Sequence, residues 1–257
     1  EGTMREAIDR ARRAGLRVKG ILPVDLFGLC TPRAGLRALA SSEGLVMLED
    51  AAQAIGARDE QGLPGGSAGD AGCFSFFPAK NLGAWGDGGA VVTDRDDVAG
   101  RVRRLRAHGA TEPYVHAEIG RNSRLDALQA AILLAKSPHL ARWQDARARI
   151  AGRYLAELPA HRLILPHDPP APAAHAWHAF VIRTPKREAL IASLRDQAIE
   201  ARVYYPIPLH RQPCFASLAE PSLPITEQVC ATALALPIFP TMTEAQQAHV
   251  IDAITRG

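Results

Sequence analysis

The sequence has little of what would place a protein in a membrane, on a nucleic acid or around a zinc ion. No apolar run approaches the roughly 18 residues that span a bilayer, and the first ten residues, EGTMREAIDR, lack a signal-peptide pattern. Lys and Arg number 30 against 27 Asp and Glu, and the net charge of +3 is spread along the chain. The four cysteines form no C-x-x-C pair. We therefore predict a globular protein of the cytoplasm.

Alternating apolar runs and helical patterns predict an α/β fold. Residues 18–24 and 45–48 are typical of buried strands, and residues 33–43 between them are typical of a helix. A strand-helix-strand unit belongs to a parallel sheet, which places ligands at the carboxyl ends of its strands. Two more strands are expected at 72–77 and 89–93, separated by a glycine-rich turn segment.

Composition divides the rest of the chain. The proline-rich residues 169–173 predict a boundary between a large domain (1–168) and a small C-terminal α+β domain (169–257). Helical spacing begins with the first residues, from which we expect that the chain starts in mid-fold and lacks an N-terminal portion. The remaining predicted elements are helices at 95–107, 124–136, 138–158, 185–198, 224–235 and 243–255, a polar loop at 109–123, and strands at 177–183 and 201–205.

Three polar segments stand out. Asp50 ends the second strand in EDAAQ (49–53), where a carboxylate could bind a metal or a cofactor cation, act as an acid or base, or cap the next helix. Lys80 lies in SFFPAKNLG (75–83), where burial would lower the pKa of its amine as Schiff-base chemistry requires, although such a lysine is often solvated. No G-x-x-x-x-G-K-[ST] sequence is present, which excludes a Walker phosphate loop. The segment GRNSRLD (120–126) could bind a phosphate or only cap a helix.

Together these segments fit one cofactor, pyridoxal phosphate. This cofactor needs an amine, a carboxylate that keeps its pyridine nitrogen protonated, and hydrogen-bond donors for its phosphate. Lys80, Asp50 and Ser75 supply these three functions within a short stretch of sequence. Because the protonated ring withdraws electrons from the bound substrate, the carboxylate would have a direct chemical purpose.

The residues around these segments resemble a known family. The stretches EDAAQAIGA (49–57), GSAGDAGCFSFFPAKNLGAWGDGGAVVT (66–93), WHAFVIR (177–183) and YYPIPLHRQPCF (204–215) resemble the sugar-nucleotide aminotransferases of the DegT/StrS type. These are fold type I pyridoxal-phosphate enzymes, and the resemblance covers nearly the whole chain. It implies a three-layer α/β/α large domain followed by the small α+β domain.

The resemblance implies roles for four residues of the large domain. Lys80 would form the Schiff base with the cofactor and then move protons between the substrate and the cofactor. Asp50 would pair with the pyridinium nitrogen, and Gln53 would lie by the ring. Ser75 would bind the cofactor phosphate.

It also implies a shared active site and a sugar pocket. Asn122 would reach the phosphate of the other subunit's cofactor, which would make the protein a homodimer. His210 would face the sugar and Tyr205 would line the same pocket, although His210 by itself could equally be a packed or surface histidine. Asp25 stands where many relatives have histidine.

The reaction that this resemblance implies is transamination. An amino acid, by family habit L-glutamate, would give its amino group to a keto group of a nucleotide-linked deoxy sugar. The segment NSRLDALQAA (122–131) favours a 3-keto over a 4-keto sugar, and Lys80 argues against the dehydration carried out by relatives with histidine at that position. Two alternatives stay open: a different ketone substrate such as an amino-cyclitol precursor, and a truncated or non-catalytic family member with a binding or regulatory role.

Overall fold

Contacts divide the chain into two compact units. The computed structural model describes residues 2–217 and 222–256. The first unit comprises Glu1–Gln144 and Pro169–His178, and the second comprises Asp145–Asp168 and Ala179–Gly257. The units therefore interleave along the sequence, whereas the predicted domains, 1–168 and 169–257, meet at a single position. Those domain boundaries stay a prediction.

The first unit is built on a four-stranded sheet. Its elements are α1 (Gly2–Arg13), β1 (Gly20–Ile21), α2 (Arg33–Ser42), β2 (Val46–Asp50), β3 (Ala71–Ser75), β4 (Gly89–Val92), α3 (Asp96–Leu105), β5 (Ala110–Glu112), β6 (Val115–His116) and α4 (Ala127–Lys136). The strand order is β1-β2-β3-β4; the first three strands are parallel, and β4 is antiparallel to β3. The register places Asp50 opposite Cys73. The carboxyl ends of β2 and β3 therefore meet at one edge of the sheet.

The two faces of β2 differ in burial. Met47 and Glu49 are buried, whereas Val46 and Leu48 are exposed, because successive side chains of a strand point to opposite faces. Helices α1 and α2 cover the buried face, where Ile8 and residues of α2 join Met47 in one hydrophobic cluster. The burial of this apolar surface holds the helices to the sheet.

The second unit has its own small sheet. Its elements are most of α5 (Leu140–Glu157), then β7 (Phe180–Arg183), α6 (Arg187–Asp196), α7 (Pro224–Thr232), β8 (Ala233–Leu236) and α8 (Glu244–Arg256). Strands β7 and β8 pair antiparallel, with Phe180 opposite Leu236. The ring of Tyr154 on α5 lies 5.0 Å from that of Phe180, and its hydroxyl donates a hydrogen bond of 2.9 Å to the carbonyl of Pro237. This aromatic pair joins α5 to β7.

Four predicted elements differ from the structure. The strand predicted at 18–24 shortens to β1, because Pro23 has no N–H to extend the ladder. The strand predicted at 201–205 is wrong and reduces to a single bridge with β8. The helix predicted at 224–235 ends early, and its last residues belong to β8 because β7 offers a pairing partner. The loop predicted at 109–123 contains the β5–β6 hairpin.

The described part of the chain shows neither a membrane helix nor a metal cluster. None of its helices has the length and apolar character that a bilayer crossing requires. Within the same residues, no three His, Cys, Asp or Glu side chains gather in a way that could hold a metal ion.

Candidate active site

Two predicted site residues end neighbouring parallel strands. Asp50 is the last residue of β2 and Ser75 is the last residue of β3, so both lie at the edge where such sheets bind ligands. The half-buried Asp50 accepts a hydrogen bond of 3.0 Å at Oδ1 from the N–H of Ala52. The residues that follow are turns rather than a helix. Asp50 therefore does not cap a helix, and the alternative of a purely capping role is removed.

Gln53 fixes a second turn beside this edge. Its Oε1 accepts a hydrogen bond of 2.5 Å from the N–H of Phe27. Next to it, Gly28 has a φ of +98°, and a Cβ there would lie 3.1 Å from the carbonyl oxygen of Gln53. The turn after β1 is thus held against the residues after β2. Glycine suits this position because it tolerates the positive φ and has no Cβ to prevent the close approach.

The loop that carries Lys80 is closed by its own backbone. The N–H of Lys80 donates to the carbonyl of Phe77 at 2.8 Å, and the N–H of Ala84 donates to that of Phe76 at 2.8 Å. A Cβ on Gly83 would come within 2.4 Å of the carbonyl oxygen of Pro78, so only glycine fits. The loop therefore presents Lys80 from a defined conformation.

Lys80 and Asp50 are electrostatically coupled. Partial burial lowers the pKa of the Lys80 amine below its ordinary 10.5, and the carboxylate of Asp50 opposes this by favouring the charged form. Burial is the larger of the two effects. A partly desolvated amine beside a carboxylate is the pair that pyridoxal phosphate requires, one group for its aldehyde and one for its pyridinium nitrogen. The residues present therefore fit this cofactor.

Sequence reasoning missed Asn81, which anchors the Lys80 loop. Its side chain is buried, and Nδ2 donates a hydrogen bond of 2.7 Å to the carbonyl of Ala176. Its Oδ1 lies 3.3 Å from Nδ1 of His178. These partners are nearly a hundred positions away in the sequence, so no local spacing indicates the contact. The only available signal was its position directly after Lys80.

Ser75 and Asn122 occupy different surroundings. Ser75 is half-buried, and its Oγ accepts a hydrogen bond of 3.3 Å from the N–H of Phe77 at the start of the Lys80 loop. Asn122 is exposed, on a loop whose backbone bridges Ala107 before α4 begins. Ser75 thus belongs to the same edge as Asp50, while Asn122 presents its side chain on the surface of the first unit.

Tyr205 and His210 lie in the second unit. Tyr205 is 46% exposed, and its ring centroid is 5.5 Å from that of Tyr204. The side chain of His210 is only 10% exposed, and its Nε2 lies 3.2 Å from Oε1 of Glu227. This hydrogen bond holds the pKa of Glu227 below its ordinary value. The ring of His210 is therefore oriented by a carboxylate, and its role stays a prediction, whereas Asp50, Gln53, Ser75 and Lys80 all lie in the first unit.

Comparison with known proteins identifies the family. The family model described as the DegT/DnrJ/EryC1/StrS aminotransferase family matches residues 2–255. The chain belongs to this family. A crystal structure of a DegT/DnrJ/EryC1/StrS aminotransferase from Brucella abortus matches with a TM-score of 0.93 at 38% identity, covering 98% of this chain and 68% of that one. The predicted fold type I architecture is thereby confirmed.

Two curated relatives give the chain a context. It is 46% identical over 241 residues to a UDP-N-acetyl-3-dehydro-alpha-D-glucosamine 3-aminotransferase of Acidithiobacillus ferrooxidans, covering 93% of this chain and 64% of the relative. It is 45% identical over 243 residues to a "pleiotropic regulatory protein" of Geobacillus stearothermophilus, covering 93% of this chain and 65% of the relative. The chain therefore spans about 65% of the length of these relatives.

Proposed function

We propose that the protein is a pyridoxal-phosphate-dependent aminotransferase that acts on a nucleotide-linked keto sugar in the cytoplasm. The observation that carries the proposal is the partly desolvated amine of Lys80 beside the carboxylate of Asp50, at the carboxyl edge of parallel strands. Membership of the family supports this proposal. The name of the Acidithiobacillus relative supports it too, because that name describes the transfer of an amino group to carbon 3 of a UDP-linked sugar. A 3-keto sugar is therefore the proposed acceptor and L-glutamate the proposed donor.

Each residue at the strand edge has a distinct task in this proposal. When bound, pyridoxal phosphate supplies an electron sink that makes the Cα–H of an amino acid acidic. The Nζ of Lys80 would hold the cofactor and, when free, would take up and return the proton on Cα. Its lowered pKa favours the neutral amine that this proton transfer needs. The carboxylate of Asp50 keeps a proton on the pyridine nitrogen.

The remaining contacts orient the two ligands. The Oε1 of Gln53 accepts a hydrogen bond from the N–H of Phe27, and in this proposal the Gln53 side chain would limit the movement of the cofactor ring. The hydroxyl of Ser75 is a donor for the phosphate, which carries most of the negative charge of the cofactor. In the second unit, His210 is the proposed contact to the sugar, with its ring oriented by Glu227, and Tyr205 provides an exposed aromatic surface for the same substrate.

A homodimer is part of the proposal. Large apolar side chains next to Asn122 in the sequence are almost fully exposed in this chain, with Ile119 at 98% and Tyr114 at 97%. A second subunit seated on this surface would bury them and bring Asn122 towards the neighbouring cofactor phosphate. Changing Ile119→Asp should shift the protein from dimer to monomer in sedimentation analysis. Ile225→Asp, at another exposed isoleucine in the second unit, should leave the mass unchanged; a monomeric wild type would contradict the proposal.

An absorbance spectrum of the chain with pyridoxal phosphate is the direct test. We expect a visible band when the cofactor is added, and its loss when L-glutamate is added, since the amino group then moves to the cofactor. The Lys80→Ala variant should show no such band. A folded chain that produces no band with the cofactor would contradict the proposal.

A regulatory role is the second candidate. It is favoured by the name of the Geobacillus relative, a regulatory protein at 45% identity. In that case the cofactor would bind at Lys80 as a ligand, and no amino acid would discharge the visible band. A band that persists with L-glutamate, and with other amino acids tried in turn, would favour this candidate over catalysis.

A further inference from the structure

Four buried charged side chains form a cluster near the carboxyl end of β2. Arg33, Asp25, Glu49 and Asp59 are each no more than 3% exposed. Nη2 of Arg33 is 3.0 Å from Oδ2 of Asp25 and 2.5 Å from Oε1 of Glu49. Its Nη1 is 3.6 Å from Oδ2 of Asp59. Three carboxyl groups therefore share one guanidinium away from water, an arrangement that is costly unless every member is held.

The protonation of Glu49 explains how three carboxyl groups can surround a single guanidinium. Burial, followed by a hydrogen bond that the protonated Glu49 carboxyl donates to the carboxylate of Asp25, raises the pKa of Glu49 to about 7. Its two carboxyl oxygens also accept the N–H groups of Gly66 at 2.8 Å and Ala68 at 3.0 Å. Below about pH 7, Glu49 therefore carries a proton, which reduces the excess of negative charge around Arg33.

The cluster is joined to Asp50 through the backbone. Glu49 directly precedes Asp50, and their side chains point to opposite faces of β2. The N–H of Asp25 donates to the carbonyl of Asp50 at 3.0 Å, and the N–H of Asp50 donates to that of Pro23 at 2.9 Å. Any shift of Asp25 or Glu49 therefore moves the backbone that carries Asp50.

We propose that Arg33 is a positioning residue: by clamping Asp25 and Glu49 on one face of the sheet, it fixes the carboxylate of Asp50 on the other. The inference rests on the proposed function, in which Asp50 serves the cofactor. Without the guanidinium, Asp25 and Glu49 lose the partner that both contact, and a buried negative charge is left uncompensated. The strand end then shifts, and the Asp50 carboxylate leaves its place beside Lys80 and Cys73.

Cys73 reports the place of Asp50 without any cofactor. It is half-buried on β3, directly opposite Asp50 in the register. Its thiol pKa is raised above 9.0, first by burial and then by the charge of Asp50. The pH midpoint of Cys73 alkylation therefore measures how close the Asp50 charge lies, while the plateau rate at high pH measures exposure of the thiol.

The experiment follows iodoacetamide labelling of Cys73 by peptide mass spectrometry over a range of pH, in the full chain. For Arg33→Met we expect a lower midpoint, close to that of Asp50→Asn, so that labelling near pH 8 becomes about threefold faster. Arg33→Lys keeps the charge but reaches fewer partners. Its Cys73 midpoint should therefore lie between those of the wild type and Arg33→Met. Arg37→Met, at an exposed arginine on the same helix, should match the wild type.

The other outcomes overturn the proposal. If Arg33→Met and Arg33→Lys lower the melting temperature but leave the Cys73 midpoint unchanged, Arg33 is merely structural. If Arg33→Met does not fold, Arg33→Lys alone decides by the same criterion. If Asp50→Asn leaves the Cys73 midpoint at its wild-type value, Cys73 does not sense the charge of Asp50, and the geometric basis of the proposal is removed. Because no cofactor is present, a failed amino-transfer assay leaves these results intact, and the two failures are distinguishable.

Discussion

At the scale of single residues, the proposed chemistry depends on the amine of Lys80. Lys80 is set apart from the other lysines because burial lowers its pKa while its backbone is held in a closed loop. Borohydride reduces the bond between a lysine amine and the aldehyde of pyridoxal phosphate, and Lys80 is the proposed amine. We therefore expect Lys80→Ala to abolish trapping of the cofactor by borohydride. Lys19→Ala, at an exposed lysine, should label as the wild type does. A labelled peptide other than that of Lys80 would contradict the assignment.

The opposing effects on Lys80 predict a pH profile. The neutral amine is the reactive form, so the rate of borohydride-trapped labelling should rise with pH to a midpoint below 10.5. The carboxylate of Asp50 raises the pKa of the amine, so its removal in Asp50→Asn should move the midpoint further down. Labelling near pH 8 would then be faster in the variant. A midpoint that moves up would show that Asp50 does not face Lys80.

Asp50→Asn should have the opposite effect on amino transfer. A neutral amide cannot keep the pyridine nitrogen protonated, so the electron sink is lost even though Lys80 still binds the cofactor. We expect the glutamate-dependent loss of the visible band to slow by about a hundredfold or more, a difference of roughly 3 kcal/mol in activation free energy. Unchanged kinetics would refute the role of Asp50.

At the scale of elements, the Lys80 loop has no room for a side chain at Gly83. A Cβ on Gly83 would meet the carbonyl oxygen of Pro78 at 2.4 Å, which forces the loop to open. We expect Gly83→Ala to lower the free energy of unfolding in urea by about 1–3 kcal/mol and to slow labelling of Lys80.

Gly152 is the matched control for that substitution. It lies inside α5, and a Cβ there meets nothing within 4 Å. Alanine at this position should therefore stabilise the protein by about 0.5–1 kcal/mol through the lower entropy of its unfolded chain. Equal effects at both glycines would show that the close approach in the loop is unimportant.

Local sequence patterns predicted most of the helices correctly. They failed where a strand pairs with a partner that is distant in the sequence. The helix predicted at 33–43 is α2, and the one at 243–255 is α8. Residues 233–236 look helical in sequence yet form β8, because the partner strand β7 lies some fifty residues away. The tendency of alanine and leucine to form helix is overridden there by hydrogen bonds and burial that only the assembled unit provides.

At the scale of the whole molecule, the buried charge cluster predicts how stability depends on pH. The pKa of Glu49 is about 7 when folded and 4.5 when unfolded, so the folded protein binds the proton more tightly. Its stabilising contribution is complete below pH 4.5 and is lost as the pH rises to about 7. Relative to Glu49→Gln, the wild type should lose on the order of 3 kcal/mol of unfolding free energy over this range.

Urea unfolding at several pH values measures that difference. Glu6→Gln, at an exposed glutamate on α1, is a control whose pH dependence should match the wild type. Parallel curves for wild type and Glu49→Gln between pH 4.5 and 7 would show that the proton is not held in the folded state. Such a result would also weaken the picture of Arg33 as a clamp for a carboxyl pair.

The interleaving of the two units is also a property of the whole chain. Residues 169–178 return to the first unit, where Ala174 and Arg58 exchange backbone hydrogen bonds of 2.9 and 3.0 Å. The proline-rich composition of this segment indicates a boundary, yet the segment contributes Ala176 as the partner of Asn81. Composition detects that the chain leaves regular structure, but not which unit it then joins.

The sequence by itself determined the family, the α/β fold and the residues at the strand edge, because Asp50, Ser75 and Lys80 stand in short motifs whose spacing is local. Only the tertiary structure decided that Asn81 anchors the loop, that His210 is packed against Glu227, and that Arg33 gathers three buried carboxyl groups. The reason is physical. Motifs record which groups are present, whereas burial and charge pairing arise between segments that only folding brings together.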